Sequence, residues 1–195
     1  MNFQLIVSAL WVQRDVEDMQ LIIGQKVAYP NQGVCLVEDV EKRSVGDKLL
    51  KGYNLRVLGD NSIIFIPEAN TDSVGLRPLI STAQCKKLID ELANDFEPAV
   101  CDWKARSRLF MEKLQSGDVF EAADVFKKLT YLSFSKKLSF REQTMLEKAK
   151  FLVVSEISNA GRSRFGIETE VCRLVETACL KHRMITVNVM TATIH

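Results

Sequence analysis

The run Val27-Ala-Tyr-Pro-Asn-Gln-Gly-Val-Cys-Leu-Val-Glu-Asp-Val40 decides the fold of the first half of this 195-residue chain. Two short segments rich in β-branched residues flank Pro30-Asn-Gln-Gly33, a sequence that is typical of a turn. The run therefore predicts two strands, Val27–Pro30 and Gly33–Val40, with a turn between them.

The same pattern of short strand-like segments separated by turns continues as far as Pro78. Tyr53–Leu58 alternates polar and apolar residues, and Asn61–Pro67 follows after the turn Gly59-Asp60-Asn61. Four or five short strands in fewer than sixty residues predict a small antiparallel barrel or a strongly bent sheet. Such a unit leaves loops or one edge for partners, and backbone hydrogen bonds could join that edge to another protein.

After Pro78 the apolar residues recur at helical spacing. Capping-box signatures at Ser81, Asp118 and Ser139, and an N-cap at Asp102, predict four helix starts. The fold class is therefore α+β, with a β unit followed by a compact helical bundle. The predicted helical core consists of Leu88, Ile89, Leu92, Leu109, Phe110, Leu114, Ala122, Val125, Phe126, Leu129, Met145, Leu146, Ala149, Leu152, Val153 and Ile157.

A boundary is predicted at Gly161–Gly166. Beyond it, Glu168–Lys181 has the pattern of one more amphipathic helix, whereas Met184–Ile194 is strand-like or disordered in pattern. We assign no function to this C-terminal segment.

Positive charge is concentrated in one part of the chain. Residues 99–165 carry thirteen basic and eight acidic residues, a net charge of +5, although the whole chain carries only +1. Residues 1–18 and 19–98 are each at −2, and 166–195 is neutral. This asymmetry favours a nucleic-acid face, although lysine-rich helices are more often only solvated.

Trp103 opens this positive segment, in the first turn of a predicted helix and beside Lys104, Arg106 and Arg108. A flat apolar ring among cations suits simultaneous contact with phosphates and base steps. The alternative is that the indole packs into the core and that Arg108 pairs with Glu112 on the next turn. Further cations on later elements are Lys127, Lys128, Lys136, Lys137 and Arg141.

The β unit offers two candidate contact residues. Arg43 lies in the charged stretch Glu41–Ser44, which has the pattern of a turn. Phe65 is flanked by Ile64 and Ile66, and at least one of these three must face outward if the strand alternates. In the alternative interpretation, Phe65 belongs to the core and Arg43 is only solvated.

Enzymatic motifs are absent from the sequence, which has no phosphate-binding loop, dinucleotide fingerprint, zinc-protease motif or nucleophile elbow. The two histidines, His182 and His195, both lie in the C-terminal segment. The five cysteines include no C-x-x-C pair, so we expect reduced, buried thiols. We therefore expect no catalytic residues, metal, cofactor or small-molecule substrate.

The N-terminal apolar run, Leu5–Val12, is too short to span a membrane. It also lacks the basic region and cleavage site of a signal peptide. We therefore expect a cytoplasmic protein without a membrane partner.

Several runs carry a family resemblance, in order and with few gaps, between about Met19 and Ala160. They are Gly24–Val34, Ile66–Pro67, Asn70–Pro78, Trp103, Glu112–Val119 and Leu138–Lys150. Together they resemble the CarD family of bacterial transcription regulators.

The resemblance implies two domains. Residues 19–80 would form a Tudor-like antiparallel β barrel that docks on the β subunit of RNA polymerase. Residues 81–165 would form a helical DNA-contacting domain, leaving 1–18 as an extension and 166–195 as a tail, both of unknown role.

The resemblance also assigns roles to single residues. Trp103 matches a tryptophan that wedges into the minor groove of promoter DNA at the upstream edge of the transcription bubble and hinders closure of the open complex. Lys104, Arg106 and Arg108 would contact phosphates there, largely without reading sequence. Arg43 matches a basic residue used in polymerase docking.

Some positions depart from the family pattern. Phe65 replaces a second docking arginine, so its polymerase contact would be apolar or rearranged. Gln143 replaces a lysine that contacts DNA. Residues 1–18 and 166–195 have no recognised counterpart, and Met19 falls where family members commonly start, so translation from Met19 is an alternative to Met1.

The sequence therefore predicts a non-enzymatic transcription regulator that joins RNA polymerase to promoter DNA and stabilises the open complex. Through the polymerase it would be associated with the nucleoid. The alternative is an adaptor that binds polymerase or a repair factor through the β unit and makes no DNA contact.

Overall fold

The computed structural model describes residues 20–45, 48–94, 96–160 and 166–192. Within these residues, a five-stranded antiparallel sheet precedes five helices, which confirms the α+β class. The sheet has the order β4-β3-β2-β1-β5, so β4 and β5 are its edges. The strands are β1 Lys26–Tyr29, β2 Gly33–Val45, β3 Lys48–Val57, β4 Ile63–Pro67 and β5 Arg77–Pro78.

The predicted turn joins β1 to β2, and both Asn31 and Gly33 have positive φ there, as a tight connection requires. One face of the sheet buries a core that includes Val27, Val37 and Leu55. Residues 1–19 lie outside the described part of the chain, so the predicted N-terminal extension has no structural description.

The stretch Glu41–Ser44 is not a turn, which corrects the prediction. It belongs to β2 and pairs with β3, with Arg43 opposite Leu50 and Glu41 opposite Gly52. This end of the hairpin is a largely solvated ribbon, and its sequence therefore lacks the apolar alternation that marks a half-buried strand.

The helices begin close to the predicted caps. Reciprocal capping boxes form at Ser81 and Ser139, and the Asp102 side chain accepts the N–H groups of Lys104 and Ala105. Asp118 is also a cap, but the predicted box there is wrong. The helices are α1 Thr82–Ala93, α2 Trp103–Gln115, α3 Val119–Ser135, α4 Phe140–Asn159 and α5 Ile167–Ala192.

The five helices share one apolar core, which contains most of the predicted residues. Leu109 is an exception, because 38% of it is exposed. The last helix, α5, buries Val171, Val175 and Cys179 in the same core and continues to Ala192. The strand-like prediction is therefore wrong for Met184–Ala192, which belongs to α5. The remainder of that predicted stretch lies outside the described residues. In the described part of the chain, no helix combines the length and apolar content needed to cross a membrane.

A partly buried ion pair joins the sheet to the bundle. Arg77 in β5 donates from Nη1 and Nη2 to the two carboxylate oxygens of Glu156 in α4, at 2.5 and 2.8 Å. The same guanidinium donates to the carbonyl of Gly117, and Glu156 also accepts the backbone N–H of Ile80 at 3.1 Å. Glu156 is buried, so nearly all of its hydrogen bonding comes from these protein groups.

A second contact between the two units depends on glycine. The ring of Phe151 in α4 lies against Gly33 and Gly59, where a Cβ atom would approach the ring to 2.9 and 2.6 Å. Lys26 adds a hydrogen bond to Asn159 at 2.9 Å. The end of α4 is thus held on the sheet by both packing and polar contacts.

We expect Arg77→Ala to lower the free energy of unfolding by about 3 kcal/mol, because it leaves the buried Glu156 carboxylate without its cation. Chemical denaturation measures the change. Glu91→Ala is the control, since it breaks the exposed Lys87–Glu91 pair and should cost less than about 1 kcal/mol. Equal effects of the two substitutions would contradict the importance of the Arg77–Glu156 pair.

Candidate functional site

The predicted nucleic-acid site lies at the start of α2. Trp103 is the first residue of this helix, directly after its Asp102 cap, and 63% of it is exposed. The expected exposure is confirmed, and packing of the indole into the core is excluded. Lys104 places its ammonium 5.6 Å from the centre of the indole, so a cation accompanies the exposed ring.

Arg106 requires a correction, because only 4% of it is exposed. Its Nη1 donates to the carbonyls of Val100 and Cys101 at 2.8 and 3.0 Å, and its Nη2 donates to Glu142 at 2.8 Å. A guanidinium with these partners is not presented to a phosphate. Arg106 instead fixes the loop that leads into α2, and so helps to place Trp103.

Glu142 is the partner that holds Arg106. Burial of its carboxylate raises the pKa, but hydrogen bonds from the Ser139 backbone, Arg106, the Ser139 hydroxyl and Lys136 outweigh it and lower the pKa to about 2. The first turns of α2 and α4 are therefore joined by one ionised carboxylate. It also closes the capping box of α4.

The other predicted cations divide into three groups. Lys104, Arg108, Lys137 and Arg141 are exposed, and no ion pair between Arg108 and Glu112 is present. In contrast, Lys127 is buried and donates to two backbone carbonyls. The ion-paired residues are Lys128, with Asp124, and Lys136, with Glu142. The exposed cations near Trp103 are fewer than the sequence suggested.

Glu121 explains why the second predicted capping box does not form. Its carboxylate turns away from the Asp118 cap and pairs with Lys113 of α2. The same ammonium also pairs with Asp124 at 2.9 Å. A contact between α2 and α3 therefore replaces the local one.

The two predicted polymerase-binding residues meet on the outer face of the sheet. The guanidinium carbon of Arg43 lies 4.6 Å from the centre of the Phe65 ring. Ile64 and Ile66 pack toward the sheet core, so Phe65 is the outward-facing member of the three. Because a Cβ on Gly52 would lie 2.6 Å from the Phe65 ring, glycine makes room for it.

Two residues that the sequence did not single out position Arg43. Glu41 forms an ion pair with its guanidinium, and Asn54 accepts a hydrogen bond from Nη2 at 3.1 Å. The hydrogen bonds from Arg43 and Asn54 lower the pKa of Glu41. Only the strand register, in which Asn54 lies opposite Phe65, could have revealed this group. We call Arg43, Phe65, Glu41 and Asn54 the Arg43–Phe65 patch.

All five cysteines are thiols; Cys35, Cys85 and Cys179 are buried, as expected, but Cys101 is exposed and Cys172 is half-buried. Burial raises the pKa of Cys179 to about 12, so its thiol is unreactive at neutral pH. Across the residues that the structure describes, no cluster of three or more histidine, cysteine or acidic side chains could hold a metal ion.

Comparison with known proteins finds two family domains in the chain. Residues 21–80 match the CarD-like/TRCF RID domain, and residues 87–164 match the CarD C-terminal domain. YdeB, a proposed transcription factor of Bacillus subtilis (strain 168), is 24% identical over 135 residues, which cover 69% of this chain and 88% of YdeB. The solution NMR structure of the 72-residue N-terminal domain of Myxococcus xanthus CarD is 34% identical, covers 30% of this chain and 79% of that domain, and has a TM-score of 0.27.

The two family-domain matches define the class: a transcription-related protein of the RNA polymerase-interacting type. The chain belongs to the CarD-like family. Helix α5 lies beyond the residues that the C-terminal family domain matches.

The Glu142 site predicts a pH dependence of stability. Because its folded pKa lies below its ordinary value, its contribution is fully present above about pH 5 and is lost as the pH falls from 4.5 through about 2. We expect Glu142→Gln to remove at most about 3 kcal/mol of this pH-dependent stability. The measurement is chemical denaturation of both proteins between pH 2 and pH 7.

Glu112→Gln is the matched control, because Glu112 is an exposed carboxylate on α2. Its stability should follow that of the unmodified protein at every pH. If the difference between the unmodified protein and Glu142→Gln stayed constant from pH 7 to pH 2, the ionised role of Glu142 would be wrong.

Proposed function

We propose that this protein binds the β subunit of RNA polymerase through its sheet and promoter DNA through the start of α2, and that it stabilises the open complex. The exposed indole of Trp103, at the start of a positively charged segment, carries the proposal. A large apolar ring is costly to leave in water, and unstacked base steps offer it a partner.

The proposed mechanism is a shift in population. A protein that binds the opened promoter more tightly than the closed one increases the open fraction by its difference in binding free energy. Exposed Lys104 and Arg108 supply phosphate contacts that are largely independent of sequence, whereas the indole supplies the preference for distorted DNA. Arg106 contributes indirectly, by holding the loop before Trp103.

The polymerase contact is proposed for the Arg43–Phe65 patch and the adjoining edge strand β4. Arginine stacked on an aromatic ring is a common centre of binding energy at protein interfaces. An edge strand also presents backbone groups that can pair with a strand of the partner. The proposed place of action is the cytoplasm, at the nucleoid where polymerase is engaged.

The adaptor function, without DNA contact, is distinguished by salt. Direct phosphate contacts predict DNA binding that falls steeply as ionic strength rises. DNA binding that is absent at low salt, together with retained polymerase binding, would favour the adaptor.

We expect Trp103→Ala to shorten the open-complex lifetime about tenfold, the scale of one lost aromatic–base contact. Polymerase binding should be retained. The measurement is the decay of open complexes after a competitor is added. Leu109→Ala, which truncates another exposed apolar side chain of α2, is the control and should leave the lifetime unchanged. A normal open-complex lifetime in Trp103→Ala would refute the proposal that the indole inserts into promoter DNA.

We expect Arg43→Glu to weaken binding to RNA polymerase about tenfold, because it removes the cation over Phe65 and repels Glu41. Co-purification and titration with polymerase measure this. Lys42→Glu makes the same charge change one residue earlier, on the other side of the strand, and should bind nearly normally. Equal binding by both variants would remove Arg43 from the interface.

A further inference from the structure

The outward face of α5 carries a regular line of exposed residues. At intervals of four, three and four residues, these are Arg173, Thr177, Leu180 and Met184. Leu180 is 52% exposed and Met184 is 67% exposed. Residues at this alternating spacing lie along one side of a helix, which is the side used by helices that pair in coiled coils. We call these four residues the α5 stripe.

The α5 stripe faces away from the helical core. On the other side of the same helix, Val171, Val175 and Cys179 are buried in the core that α5 shares with α1, α3 and α4. Since each residue turns an α-helix by about 100°, the α5 stripe is centred on the side opposite these three residues. One face of α5 thus closes the core, and the opposite face is turned to solvent.

Two residues of opposite charge flank the α5 stripe. Glu176 and Arg183 are exposed, and each directly precedes a residue of the stripe. They therefore lie on the same flank of it, about two helical turns apart. Among the residues that the structure describes, neither forms an ion pair. The flank thus presents two opposite charges in a fixed order along the helix.

A second copy of α5 that runs antiparallel matches this order of charges. Two such helices pair in register when Thr177 lies beside Leu180 of the second copy. In that register, Glu176 lies beside Arg183 of the second copy. The arrangement has two-fold symmetry, so the same ion pair forms twice. The symmetry axis crosses α5 near the middle of Ile167–Ala192, and each helix therefore covers most of the other.

A parallel pair of α5 helices is less favourable. It would place Arg173 beside Arg173 of the second copy inside the contact, where the like charges repel. The antiparallel pair instead places Arg173 beside Met184 of the second copy, and the opposed helix dipoles attract each other. A parallel pair would also join Glu176 to Lys181 rather than to Arg183, so the two orientations use different cations.

The outer side of α5 does not suit nucleic acid. Glu170 and Glu176 are exposed on this helix and would repel phosphates. The sequence has no charged residue from Met184 to Ala192, the last part of α5. A helix that faces only water usually carries charges on its outer side, so this composition favours a protein contact.

We propose that this protein self-associates through α5, as a two-fold symmetric, antiparallel pair in which Glu176 bonds to Arg183 of the second copy. The α5 stripe shares no residue with the Arg43–Phe65 patch or with α2. The inference is therefore independent of the proposed function. A dimer would carry both proposed contact surfaces twice, and it would bind a target that offers two sites more tightly than a monomer does.

Sedimentation velocity of the full-length protein at low salt, over a wide range of concentrations, tests the inference. We expect the dimer fraction to increase with concentration. Glu176→Arg and Arg183→Glu should each weaken dimerisation about tenfold, because each replaces two ion pairs with two contacts between like charges. The double variant restores both pairs in reversed order and should dimerise within about threefold of the unmodified protein. An equimolar mixture of the two single variants should dimerise better than either variant alone.

Lys181→Glu is the matched control. It makes the same charge change as Arg183→Glu two residues earlier, on the opposite flank of the α5 stripe, and should dimerise nearly normally. Glu176, Lys181 and Arg183 are all exposed, so thermal melting followed by circular dichroism should be the same for every variant.

A protein that stays monomeric at every concentration would overturn the inference. A dimer that neither single variant weakens would also overturn it, because another surface would then hold the two copies. If Lys181→Glu rather than Arg183→Glu restored dimerisation of Glu176→Arg, the helices would be parallel and the antiparallel pair would be wrong. The open-complex lifetime of Trp103→Ala tests the proposed function separately, so the two failures are distinguishable.

Discussion

The ion pair between Arg77 and Glu156 is the constraint on which the arrangement of the molecule depends. It fixes one end of α4 to the sheet, and the Phe151 ring seated on two glycines reinforces it. Near the other end of α4, Glu142 fixes Arg106 and the loop before Trp103. The two carboxylates are fourteen residues apart, or roughly 20 Å along the helix. Helix α4 therefore relates the position of the sheet to the position of the indole.

This arrangement makes the two proposed contacts interdependent. When the sheet is bound to one partner, Trp103 lies at a defined distance from that partner. The indole is therefore already positioned for its own contact. Such preorganisation reduces the entropy lost on binding, and more of the contact energy remains to stabilise the bound state. A flexible linker between the two units would give a broader range of positions and a weaker effect.

Local chemistry made much of the fold predictable. The turn between β1 and β2 and the capping boxes at Ser81 and Ser139 follow from nearby residues. The residues around Trp103, in contrast, left both an exposed and a buried indole open. The failures involve distant partners. Arg106 looked like a solvent-facing cation, but it pairs with a carboxylate 36 positions later. Glu121 likewise leaves its local cap for Lys113, and the solvated ribbon around Arg43 carries no apolar pattern. Residue type, spacing and family resemblance were thus enough to select candidate residues, whereas the burial and partners of those residues depended on tertiary contacts.

Helix α5 has a consequence for how the chain can be shortened. The C-terminal family match stops at residue 164, yet Val171, Val175 and Cys179 close the same core that α1, α3 and α4 build. Ending the protein at the family boundary would expose the apolar surface that α5 covers. That surface would then favour pairing with a second truncated copy or aggregation during expression. Here the boundary of the shared family is not the boundary of the folding unit.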